Sequence, residues 1–215
     1  MTKSQETKEM EPMWPSLVAL LAAGGLYAAL PQSLALGPRW MLIALVLFTL
    51  APSEFLHSRG HHKFCRPIGF FVISAVTLGM IVSVVLLVRA IPAHVVDPEQ
   101  LLHSATALWL SNILVFAVWY WRLDAGGPHQ RSLRDQHTHS HGAFLFPQMT
   151  IAHSNQDKWA PLFVDYLFLA FNTSTALSPT DVPVLSRWAK ALMMVQSAIS
   201  LAVVGLLAAR AVNIL

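Results

Sequence analysis

A single cysteine, Cys65, is all the thiol chemistry in this chain of 215 residues. A lone thiol excludes an intrachain disulfide and any metal site built from several cysteines. Charge is scarce too: 12% of residues are charged, where a soluble domain of this size carries about 25%. The formal net charge is only +3, and the basic residues are scattered between apolar stretches, so no nucleic-acid partner is expected. Short segments of alternating polarity, the mark of a membrane β-barrel, are missing. Met1–Pro12 is polar and mixed in charge, and no small-residue cleavage site closes the first apolar run, so no secretory leader is expected.

What the chain has is apolar surface, at 55% hydrophobic residues. Several runs approach the roughly 20 residues that an α-helix needs to cross a bilayer. The expected fold class is an all-α polytopic protein of the cell membrane, surrounded by lipid, with about five transmembrane helices and one short re-entrant helix. A polar tail, residues 1–13, precedes a three-helix region, residues 14–100. Its first helix runs from Trp14 to Leu30, where Gly24 and Gly25 admit a close neighbour. Arg39–Pro52 is short for a span, and Ile68–Ile91 ends on Arg89, which can snorkel. A fourth helix, residues 101–121, closes on Trp119-Tyr120-Trp121-Arg122, the pattern of an aromatic belt at a membrane surface.

A histidine-rich linker follows over residues 122–161, long for a loop inside a compact domain. Leu162–Ala176 reads as a helix about fifteen residues long, roughly 22 Å against a hydrocarbon core of about 30 Å. Pro161 sets its start and Asp165 lies in its first turn. The last helix occupies residues 184–215.

Between these two helices lies the polar run Phe171–Asp181, FNTSTALSPTD. Irregular backbone at membrane depth is tolerated only where it is buried in protein or lines water, which makes residues 162–181 a re-entrant loop or a broken helix. Hydroxyls and carbonyls there are the oxygen ligands that a hard cation accepts in place of water. The same hydroxyls serve equally well as glue between helices. A full crossing by residues 162–177 would instead give a six-helix bundle.

Aligned without a gap, this run resembles the pore-helix end and selectivity filter of the tetrameric potassium-channel superfamily, F-T-T-L-T-T-V-G-Y-G-D. Phe171, Thr173, Thr175 and Asp181 fall on matching positions. The segment from Ser186 to Leu215, with Ala209-Arg210 near its end, is similar to the inner helix of that family, so the resemblance covers residues 101–215. It implies a homotetrameric ion channel with a monovalent cation in the pore. The implied filter residues are Thr173, Thr175, Ala176, Leu177, Ser178, Pro179, Thr180 and Asp181. Ser178 and Thr180 stand where the family has glycines, and Pro179 fixes φ near −65°, so the filter is degenerate and its selectivity weak or unusual. Gln196 and Ser200 are four apart and share a helix face, as a pore stripe would; one interhelical hydrogen bond explains the spacing equally well.

Two histidine clusters complete the candidates. His57 and His61 follow Glu54 at helical spacing, with His62 and Cys65 just beyond. His137, His139 and His141 alternate, so an extended chain would put their imidazoles on one side. Either suits zinc or another divalent ion, or proton sensing, and either is also explained as an interfacial or solvated segment. Asp165 is the only carboxylate inside an apolar run and stands alone near the surface, so no enzyme activity is expected. The alternative to a channel is a non-conducting bundle acting as a metal or pH sensor or as an accessory subunit.

Overall fold

The computed structural model describes residues 11–48, 62–93, 97–133, 142–150, 159–178 and 181–214. Their regular structure is helical, apart from an isolated bridge between Phe144 and Val184. The helices are α1 (Trp14–Ala28), α2 (residues 41–48), α3 (His62–Ala93), α4 (Pro98–Leu123), α5 (Pro128–Leu133), α6 (Phe163–Thr175) and α7 (Arg187–Ile214). Among the described residues, three stretches are long and apolar enough to cross a membrane: Pro67–Ala90, Glu99–Arg131 and Arg187–Ala209. The first apolar run, expected to span from Trp14 to Leu30, forms a helix of 15 residues, short of that length.

Local chemistry sets the ends of these elements. Pro15 occupies the first turn of α1, where its missing N–H costs nothing. Beyond α1 the Tyr27 hydroxyl accepts from the Leu36 N–H at 2.6 Å and donates to the Leu36 carbonyl at 2.9 Å, which closes the turn leading to α2. A Cβ at Gly24 would stand 3.1 Å from Ile43 Cγ1, so the small residue lets α2 lie close against α1, whereas Gly25 faces open space. Asp97 caps α4 by accepting from the Glu99 N–H at 3.2 Å, with Pro98 next to it.

α4 is the hub of the fold and packs against α1, α3, α6 and α7. Trp119 Nε1 donates to Thr77 Oγ1 at 2.9 Å and so joins α4 to α3. The Arg122 guanidinium lies where a Cβ on Gly69 would be, so a larger residue there would have to push it aside. Tyr120 and Trp121 are fully buried, which corrects the expectation of a belt facing the membrane surface. Their polar atoms find partners in the interior, on Gln196 and Glu11, and a partnered Tyr or Trp has no need of an interface.

The end of α4 is a sharp reversal. Ala125, Gly126 and Gly127 take φ of 51°, 85° and 94° in succession, the left-handed region that costs side-chain-bearing residues about 1–2 kcal/mol each. A Cβ on Gly127 would also stand 2.9 Å from the Arg122 carbonyl oxygen.

Candidate functional site

Asp124 caps the end of α4 and is buried, 1% exposed. Its Oδ1 accepts from the Ala143 N–H at 2.6 Å and its Oδ2 from the Tyr166 hydroxyl at 2.6 Å. One carboxylate therefore holds both the linker and the first turns of α6. Arg131 on α5 closes the cluster: Nη1 donates to the carbonyls of Trp121 and Asp124 at 2.7 and 3.0 Å, and Nη2 pairs with Glu11 at 2.7 Å. The guanidinium lies 5.1 Å from the Tyr166 ring centroid and 5.8 Å from that of Trp121. Glu11 also accepts from Trp121 Nε1, which seats the residues just before α1 on the end of α4.

The linker takes part in this end of the molecule. Phe144 is buried, with ring centroids of Tyr120, Tyr166 and Trp188 at 5.3, 6.2 and 6.2 Å. The backbone beside it pairs with the chain entering α7, Leu145 N–H to the Pro183 carbonyl at 3.0 Å and Leu185 N–H to the Ala143 carbonyl at 2.8 Å.

α6 leaves this end and stops partway along α4. Its start is fixed by Phe163 against Trp121, ring centroids 6.0 Å apart, and by Tyr166 on Asp124. Asp165 accepts from the Leu162 N–H at 2.8 Å and so caps the helix, as its place in the first turn suggests. The far end lies level with Asn112, whose Nδ2 donates to Ser174 Oγ at 3.3 Å. Asn112 is a dozen residues before Asp124, roughly 18 Å along α4 at 1.5 Å per residue. By Pro183 the chain is back beside Leu145 at the Asp124 end. Residues 163–178 thus leave the Asp124 end, residues 181–183 lie back at it, and α7 then runs the length that α6 does not.

A second buried polar group fixes the tip. Gln196 Nε2 donates to the Ala170 carbonyl at 2.8 Å and to Ser174 Oγ at 3.0 Å, while Oε1 accepts from the Tyr120 hydroxyl at 2.5 Å. Asn112 Nδ2 reaches the Gln196 carbonyl at 3.2 Å and Ser200 Oγ at 2.9 Å. Asn112 Oδ1 is buried without a hydrogen-bond partner among the described residues.

The expected site residues divide accordingly. Gln196 and Ser200 do share a face of α7, but both are 0% exposed and turned into the subunit, so they form no open stripe. Partners on α4 and α6 outcompete water for their polar atoms. Thr173 is likewise buried, its hydroxyl donating to the Leu169 carbonyl at 2.8 Å. Thr175, Ala176, Leu177, Ser178 and Asp181 are exposed. The Thr175 hydroxyl donates back to the Phe171 carbonyl at 2.9 Å, which leaves lone pairs on its oxygen available. Leu177 has φ of 54°, a strained conformation for a residue with a Cβ, immediately after α6. Pro179, Thr180, His57, His61, His137, His139 and His141 lie outside the described residues, as does the side chain of His62. Among the described residues no group of three or more His, Cys, Asp or Glu could hold a metal ion.

Sequence reasoning does not single out Asn112, Asp124, Tyr166, Arg131 or Glu11. An amide in the middle of an apolar run is itself a signal, and Asn112 carries it. Comparison of the chain with protein-family models, with curated proteins and with solved structures gives no match.

Proposed function

We propose that this chain is one subunit of a homotetrameric, multi-pass protein of the cell membrane that passes monovalent cations along a glycine-free path of weak or unusual selectivity. In this reading α1, α2, α3, α4 and α7 are the membrane helices and α6 is re-entrant. The observation that carries it is that α6 starts at the Asp124 end of α4 and reaches the level of Asn112 at Ser174, while Pro183 lies back at the Asp124 end. Non-helical, exposed residues at that depth need water or a protein neighbour beside them. The likeness of FNTSTALSPTD to a potassium-channel filter adds to the same reading.

One chain supplies one such loop, and a pore needs several around an axis. Val164, Phe168 and Phe171 on α6, with Met194, Leu201 and Val204 on α7, are uncovered in the single subunit. In the proposed tetramer these faces meet neighbouring copies or lipid, and Thr175 to Ser178 line the path with Asp181 at its mouth. Hydroxyl and carbonyl oxygens would stand in for the water around a cation.

A second reading, a non-conducting bundle serving as an accessory subunit or a metal or pH sensor, draws on the burial of Gln196 and Ser200, which removes the pore stripe. The mass of the purified protein in mild detergent separates the two. The proposal requires four copies per particle, and a monomer at all concentrations would leave the loop without a shared axis.

A further inference from the structure

We propose that Gln196 is the positioning residue that sets the depth of the α6 tip and so couples movement of α7 to the loop Thr175–Ser178. The inference deepens the reading of residues 163–183 as a re-entrant loop by naming what regulates it.

Most of the contact between α7 and the rest of the subunit is apolar, through Ala189, Met193 and Val203. Apolar contacts are non-directional, so a helix held by them alone can slide or rotate at little cost. Hydrogen bonds are directional and fix register. At Gln196 one side chain joins three helices, with both amide hydrogens spent on α6 at Ala170 and Ser174 and the amide oxygen taken by Tyr120 on α4. Ser174 is in the last turn of α6, directly before the exposed loop.

A shift of α7 that broke these bonds would leave the buried Gln196 amide and the buried Tyr120 hydroxyl without these partners. That cost makes the α6 tip follow α7 rather than release it. Asn112 strengthens the junction by holding Ser174, Ser200 and the Gln196 carbonyl from α4. The tip of a half-length helix and the register of a full-length one therefore meet at the Gln196 amide, which bonds to both α6 and the Tyr120 hydroxyl.

The test uses the full chain in liposomes with Cys65→Ser and a reporter, Ala176→Cys, at the exposed end of α6. The rate of modification by a charged, water-soluble thiol reagent reads the position of the tip and needs no ion flux. Gln196→Leu should change that rate by about tenfold, the effect expected from losing the amide bonds. Val203→Ala, which removes apolar packing on the same helix, should leave it within about twofold. Gln196→Glu supplies the rescue, because the protonated acid can again donate to Ala170. Measured relative to the reporter with Gln196 intact at each pH, its rate should match that reference in acid and approach the leucine variant in base. A rate indifferent to Gln196→Leu, an equal response to Val203→Ala, or a Gln196→Glu rate without pH dependence would overturn the proposal. Should the leucine variant fail to fold, the pH series on the glutamate variant decides alone. A monomeric, non-conducting protein that still gave this labelling pattern would refute the channel and leave the coupling intact.

Discussion

The Tyr166 hydroxyl donates to Asp124 Oδ2 at 2.6 Å, and both residues are buried. This bond ties the start of the half-length helix α6 to the end of the hub helix α4. Tyr166→Phe leaves a buried carboxylate oxygen without its donor and should cost about 1–3 kcal/mol. Denaturant unfolding in detergent, compared with an exposed control such as Val18→Leu on α1, measures it; equal stability of the two variants would show that the bond contributes nothing.

Arg131 and Glu11 form a second tie at the same end, with side chains 8% and 10% exposed. Removing one partner of such a pair strands the other charge. Glu11→Ala should therefore destabilise the protein by about 3 kcal/mol, and the double variant Glu11→Ala/Arg131→Leu should recover part of that loss. A double-mutant cycle on thermal unfolding checks both statements.

Gly127 lies at φ of 94° with no room for a Cβ beside the Arg122 carbonyl. Gly127→Ala should lower stability by about 1–2 kcal/mol or more through strain alone. Gly25→Ala, where a Cβ meets nothing, should be neutral or slightly stabilising within α1.

In the proposed channel the mouth of the loop shares its end of the molecule with Arg122, Arg131, Arg187 and Lys190, while α1 and α3 lead away from that end toward Arg39 and Arg89. Basic residues favour the cytoplasmic side, so the loop should open to the cytoplasm, whereas potassium channels insert theirs from outside. In a Cys65→Ser background, Asp181→Cys should resist an impermeant thiol reagent in intact cells and react in inside-out vesicles, with Arg39→Cys showing the reverse. The opposite pattern would place the mouth outside.

How much of this was legible in the sequence depends on how local the signal is. The helix over Leu162–Ala176 could be read within two residues of Phe163–Thr175, because Pro161, Asp165 and an apolar run lie next to one another. The shared face of Gln196 and Ser200 followed from helical spacing. Its direction did not, since it depends on Asn112 and Tyr120, more than seventy residues away. Asp124 carries no signal in the sequence because its partners, Ala143 and Tyr166, come from segments that only the fold brings together. The aromatic run ending α4 misled for a related reason: a Trp or Tyr at a helix end suits a membrane surface until a buried acceptor claims it.

The central claim is that four copies of the loop form a cation path. Purified protein in liposomes loaded with potassium, with efflux followed on dilution into a sodium-free buffer, tests it most directly. The account predicts a cation flux above that of empty liposomes, altered by Thr175→Ala and by Asp181→Asn and insensitive to Lys190→Gln. A tetramer that passes no cation, or a flux unchanged in both loop variants, would contradict it.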